Sequence, residues 1–150
     1  MKAESHTAVR IARRIPTTPE RVFDAWLNPK LIGKWMFGPA VRDEEIVRIS
    51  LDPQVGGEFS FVVRRNGQEI DHVGTYLEID RPRRLGFTWG TADMVPDTSR
   101  VVVDIVPLTG GSEITVGHEL HPDWAESAGR TEAAWSKMLE SLSKTLSQGS

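Results

Sequence analysis

Residues 57–80 read GEFSFVVRRNGQEIDHVGTYLEID. Asn66-Gly67, flanked on both sides by strand-forming residues, is the strongest short-range hairpin signal a sequence carries, because a two-residue turn of this type needs positive φ at both positions. Directly opposed residues of an antiparallel pair share a face, so this turn predicts a register: Val63 opposite Ile70, Phe61 opposite His72, Phe59 opposite Gly74 and Gly57 opposite Tyr76. The face holding Phe59 and Phe61 is the apolar one, since the other offers Glu58, Ser60 and Arg64. His72 and Tyr76 are therefore expected to point inward. An unpartnered buried polar group costs about 1–3 kcal/mol, so these two residues imply an interior that is more than solid hydrocarbon.

Two further turns test the facing. With Gly110-Gly111 as a turn, Pro107, Ile105, Val103 and Val101 oppose Ile114, Val116, His118 and Leu120, which sets His118 on an otherwise aliphatic face. With a turn centred on Pro82-Arg83, Tyr76 opposes Trp89 and Glu78 opposes Phe87. Glu78 is then a candidate for the inner face, although Val73, Leu77 and Ile79 fall on the outer one. A β-bulge would shift any of these strands by one residue.

Outward from this block, Thr7–Ile15 alternates as a half-buried first strand. Thr18-Pro19-Glu20 supplies an N-cap, a proline at the first helical position and an early acid, and Val22, Phe23, Trp26 and Leu27 follow at helical spacing. Asn28-Pro29 repeats the device and opens a second short helix with Leu31, Ile32, Trp35 and Met36 as its stripe. Strand and turn patterns run over residues 43–121. Over 122–146 the period changes, with Trp124, Ala128, Thr131, Trp135, Met138, Leu142 and Leu146 along one face of a long amphipathic helix. The order of a strand, two short helices, about six antiparallel strands and a long helix predicts an α+β fold whose sheet packs one face on the C-terminal helix.

The 150 residues are expected to form one domain, with no repeat or low-complexity tract. The net charge of −3 argues against a phosphate-binding surface, so nucleic acid is not an expected partner. The absence of cysteine excludes disulfides, thiolate metal sites and a cysteine nucleophile. The polar start and the lack of an apolar run of about 18 residues make a cytoplasmic location the default and no membrane the expectation.

The runs RRIPTTPERVFDAWLNPKLIGKWM, SLDPQVGGEFSF, GTYLEIDRPRRLGFTW and GGSEITVGHEL, with the late Trp135, together resemble the activator-of-heat-shock-protein-ATPase-like family, within the START-like helix-grip (SRPBCC) superfamily. The resemblance covers nearly the whole chain. It implies a curved antiparallel sheet of about seven strands around a long C-terminal helix, enclosing a cavity that takes an apolar ligand in many relatives. Relatives include lipid and steroid carriers, polyketide cyclases and chaperone activators, so a heat-shock chaperone enters as a possible partner. The resemblance carries over no catalytic set. Where the family often has Gly-Trp in the last helix, this chain has Ala134-Trp135.

The candidate ligand-binding residues are Phe59, Phe61, Phe87, Trp89 and Trp135 for apolar contact, with His72, Tyr76, His118 and Glu78 as polar groups. A mostly apolar wall with a few convergent polar groups is what a small-molecule pocket needs. Each polar group also has a plainer reading: His72 and Tyr76 bonded to each other, the helix or a buried water, His118 packed beside Trp135, Glu78 on an exposed rim. No metal or cofactor is expected, because His118 and His121 are separated by an odd number along a strand and no acidic partner has matching spacing. Gly56-Gly57 lacks the Lys-Ser/Thr of a phosphate loop, and no Gly-x-Ser-x-Gly elbow occurs.

Trp35 and Phe37, and Met94 in the loop 92–98, are candidate gates to the cavity. The leading functional expectation is non-catalytic binding of a small, largely apolar molecule. The alternatives are a cyclase- or dehydratase-type enzyme using the cavity His, Tyr or Glu, and a protein-binding module acting on a chaperone ATPase. A homodimer on a strand edge or on an outer patch of Val62, Val73 and Leu77 is conceivable.

Overall fold

The computed structural model describes residues 7–37, 44–92, 99–120 and 128–148. The first strand, β1 (Thr7–Ile15), is followed by α1 (Pro19–Asp24) and α2 (Pro29–Trp35). Both helices start where the caps predict: Thr18 Oγ1 accepts the Arg21 N–H at 3.3 Å, and Asn28 Oδ1 accepts from Lys30 at 3.0 Å and Leu31 at 3.4 Å. Then come β2 (Glu45–Leu51), β3 (Glu58–Arg65), β4 (Gln68–Asp80), β5 (Arg84–Thr91), β6 (Ser99–Leu108), β7 (Gly111–Leu120) and α3 (Ala128–Gln148).

The strands form one curved antiparallel sheet in the order β1-β7-β6-β5-β4-β3-β2. Its inner face closes on α3, whose Trp135, Met138, Leu139, Leu142 and Leu146 enter the core, while α1 and α2 cover the space between the two edges. This is the α+β helix-grip arrangement. The stripe expected on the last helix holds, with Ala128 and Thr131 half-buried and Trp135, Met138, Leu142 and Leu146 buried; Trp124 lies outside the described residues.

The Asn66-Gly67 hairpin has the predicted register, with Phe61 opposite His72 and Phe59 opposite Gly74, and both turn residues have positive φ. Beyond the ladder the Tyr76 N–H still bonds Gly57 O at 2.9 Å. The other two registers differ from expectation. In β6–β7, Leu108 pairs with Gly111, so the turn is Thr109-Gly110 and His118 lies opposite Val101. In β4–β5, Tyr76 lies opposite Phe87: the three-residue connection, Arg81 to Arg83, shifts the register by one residue and a bulge between Tyr76 and Glu78 shifts it by a second.

Both of those slips are of two residues at His118 and Tyr76, which preserves facing. At Glu78 the slip is different. A bulge between Tyr76 and Glu78 sets Glu78 opposite Gly86 and turns it outward, and Ile79, opposite Leu85, turns in to join the core. Glu78 therefore does not belong to the inner face: its side chain is 51% exposed and bonds Arg84 Nε at 3.0 Å. The outer apolar patch also needs correction, since Val62 is buried, Val73 half-buried and only Leu77 well exposed at 42%.

Gly74 is where the sheet bends over the core. A Cβ there would collide with the Thr88 carbonyl oxygen and the Phe59 ring, and the Thr75 N–H leaves the ladder to bond Thr88 Oγ1 at 2.9 Å. Gly74→Ala is expected to lower unfolding stability by about 2–3 kcal/mol, as overpacking against backbone does, measured as a drop in the denaturant midpoint.

Candidate functional site

The inner wall is aromatic because alternate residues of three adjacent strands put rings on one face. Phe59 and Phe61 of β3 stack with centroids 4.7 Å apart, Tyr76 lies 5.4 Å from Phe59, and Phe87 meets Phe59 edge-on at 5.7 Å. From the helices come Trp26, 4.6 Å from Trp35 and 5.8 Å from Trp135, and Phe37, which packs on Phe61, His72 and Trp89 at 5.8, 4.7 and 6.2 Å. Offset and edge-on arrangements at these separations suit the ring quadrupoles. His72 is half-buried and its Nδ1 carries a proton to the Phe61 carbonyl at 3.1 Å, since a carbonyl only accepts. Tyr76 is 2% exposed; burial first, and the Asp52 carboxylate second, raise its pKa, so the phenol stays protonated.

His118 belongs to a separate polar chain. The Trp135 indole donates to His118 Nδ1 at 3.0 Å. An indole N–H only donates, so the imidazole carries its own proton on Nε2 and gives it to Ser99 Oγ at 2.5 Å; Ser99 in turn donates to Trp89 O at 2.9 Å. Every member is satisfied, and the chain ties α3 to β7, β6 and β5. Burial alone lowers the His118 pKa to about 4, so the ring is neutral over the physiological range.

Residues 16–147 match the family described as Activator of Hsp90 ATPase homolog 1-like protein. The chain belongs to this family. Among solved structures it is similar to protein CV1439 of Chromobacterium violaceum, with 26% identity, 91% of this chain and 94% of that one covered, and a TM-score of 0.79. Protein NE0264 of Nitrosomonas europaea shares the fold at 21% identity, covering 95% and 96%, TM-score 0.81. So does the AHSA1-like protein of Aeromonas hydrophila, at 22% identity, 95% and 94%, TM-score 0.79. No curated protein matches the chain.

Among the described residues of this AHSA1-like chain, the void at the centre of the grip is far smaller than a ligand pocket. Between sheet and helices a void of about 10 Å³ remains, lined by Trp26, Met36, Phe59, Phe61, Tyr76, Leu85, Phe87 and Trp89; preformed small-molecule pockets run to about 300–1,000 Å³. Among the described residues, the chain's own rings occupy most of the space between the sheet and the helices. Larger concavities are open and lie outside the core. One of about 760 Å³ sits on the outer face, with Ser60, Asp71 and Thr88 among its lining, and one of about 410 Å³ sits beside the β6–β7 turn.

Of the expected site residues, Phe59, Phe61, His72, Tyr76, Phe87, Trp89 and Trp135 form one continuous block, His118 joins it through Trp135 and, by way of Ser99, through the Trp89 carbonyl, and Glu78 stands outside. Glu78 is thereby separated from His72 and Tyr76, on the far side of the sheet. Met94 and His121 lie outside the described residues, among which no cluster of three or more His, Cys, Asp or Glu has a metal-binding arrangement. No helix among them is long and apolar enough to cross a membrane.

Three features went unread. Ser99 falls on the period-2 inward face with Val101 and Val103, a signal that was available. Trp26 was legible only as helix stripe. Glu44, with a fully buried side chain held by Arg65 Nε at 3.1 Å and Nη2 at 2.7 Å, carries no local signal.

Because His118 takes up its proton less readily folded than unfolded, the unfolded state binds more protons between about pH 6.5 and 4. Its contribution is complete above about pH 6.5 and falls away toward pH 4, a loss of roughly 3 kcal/mol. Urea unfolding across that window should show this slope in the wild type and a shallower one in His118→Gln.

Proposed function

We propose that this AHSA1-like domain binds a small, flat, largely apolar molecule, without covalent chemistry, by opening its aromatic interior. The observation that carries the reading is the residual void at the centre of the grip, where rings from β3, β4, β5 and the α1–α2 region converge around Tyr76. A benzene-sized guest needs about 150 Å³, so some side chain must leave.

Trp35 is unsuited to leave: it is fully buried and its indole N–H is held by Ala25 O at 3.0 Å. Phe37 is the mobile part of this reading. It follows the seven-residue α2 and lies on Phe61, His72 and Trp89, so its departure opens the block onto His72 and Tyr76. Phe59, Phe61, Phe87, Trp89 and Trp135 then supply apolar contact, and His72 and Tyr76 orient the guest.

Phe37→Ala tests this. Removing a buried Phe costs about 3–5 kcal/mol of stability, but it also removes the closing step, so naphthalene is expected to bind the variant about tenfold more tightly than the wild type, read by quenching of tryptophan emission. Destabilisation with no naphthalene binding in either protein would refute the reading.

A second reading rests on the family match over residues 16–147: regulation of a heat-shock chaperone ATPase. Faster ATP turnover by a chaperone on addition of the protein, undiminished in Phe37→Ala, would favour it over the interior site.

A further inference from the structure

Three indoles meet beneath α3, and two have acceptors, Trp35 on Ala25 O and Trp135 on His118 Nδ1. Trp26 has none. The residue is 3% exposed, and its Nε1 is the one buried side-chain nitrogen or oxygen without a hydrogen-bond partner among the described residues. Leaving that donor unanswered costs about 1–3 kcal/mol. A phenylalanine could contribute a ring to the same packing against Trp35, Phe87 and Trp135 without that cost.

The place of this donor is informative. Trp26 lines the central void, and the rest of the lining is aromatic and aliphatic apart from Met36 and the phenol of Tyr76, neither of which reaches the Trp26 N–H. An indole N–H is only a donor, so its complement is an acceptor. At about 10 Å³ the void is at the lower bound for a single water.

We propose that Trp26 sets the polarity of the guest: a flat, mostly hydrocarbon molecule bearing one uncharged acceptor, a carbonyl or ether oxygen or a pyridine-type nitrogen, at its most deeply buried end, where Trp26 Nε1–H donates to it. This rests on the reading of the interior as a ligand site and narrows its ligand class. Anionic headgroups are excluded from the class, because the wall offers a carboxylate no cation and would strip its hydration.

The test uses a matched pair, 1-indanone and indane, which share a bicyclic skeleton and differ by one carbonyl. Titrated into wild type and Trp26→Phe, the preference for 1-indanone over indane should fall about tenfold in the variant, the size of one buried hydrogen bond. In the ¹⁵N-labelled wild type, the Trp26 indole proton should move downfield with 1-indanone and not with indane, a readout that decides the matter even if Trp26→Phe does not fold. Binding of both compounds with an unaltered preference and an indole signal indifferent to the carbonyl would overturn the acceptor while leaving the site. Binding of neither compound to the wild type would remove the site and the acceptor together.

Discussion

Trp135 gives its indole proton to an imidazole whose own proton goes to Ser99, whose proton ends on a backbone carbonyl of β5. Four elements are linked through side chains that would each be costly to bury alone. Low local dielectric makes such a chain strong when complete and punishing when broken. The helix must therefore sit at one height and one rotation above the sheet, with Trp135 between His118 and the ring block formed by Trp26 and Trp89. Everything else in the interior is packed around that fixed indole. It also turns His118 from a potential base into a structural acceptor, since protonating Nδ1 would set two donors against each other.

A filled interior does not by itself argue against a guest; it sets the energetic terms. Opening an empty space of about 150 Å³ would cost roughly 3–4 kcal/mol at about 24 cal/mol per Å³. A guest that fills the space removes this cost, leaving chiefly the exposure of the displaced side chain, about 1.5–3 kcal/mol for a phenylalanine. The apparent affinity then falls one to two decades below that of a preformed cavity. Slender ligands are favoured over bulky ones, because each further ring would have to expel another of the chain's own.

Much of the fold was legible in the sequence, for a reason visible in the registers. Facing depends on parity, so the two-residue slips at Tyr76 and His118 left both groups inside even though their partners were misassigned. Caps at Thr18 and Asn28 and the Asn66-Gly67 turn act over a few residues and are read directly from them. Glu78 was misread because the connection after it has three residues rather than two and a bulge precedes it, each of which changes parity. The size of the void was equally out of reach. It is a sum over ring orientations contributed by five separate stretches of chain, and the same inward list of Phe, Trp and Tyr suits a hollow or a solid core. The orphaned Trp26 donor belongs to the same class, since only coordinates show which of three indoles finds an acceptor.

The hydrogen bonds also decide which part of the grip can yield. At one end of α3, Arg21 reaches across from α1 to Leu146 O at 3.2 Å while bonding Thr17 Oγ1 at the same distance. In the middle, Ser141 Oγ donates to Lys34 O at 3.3 Å, and Trp135 is tied to the sheet. Moving α3 would break all of these together. Phe37 is held by ring contacts and, just past α2, by the bond from its N–H to Ile32 O at 3.1 Å, among other contacts, and it lies beyond the Trp35 anchor and the Met36 N–H bond to Ile32 O. Local opening follows the weakest set of buried contacts, so a guest would enter over the end of α2, against His72 and toward Tyr76 and Trp26, with α3 serving as the fixed wall.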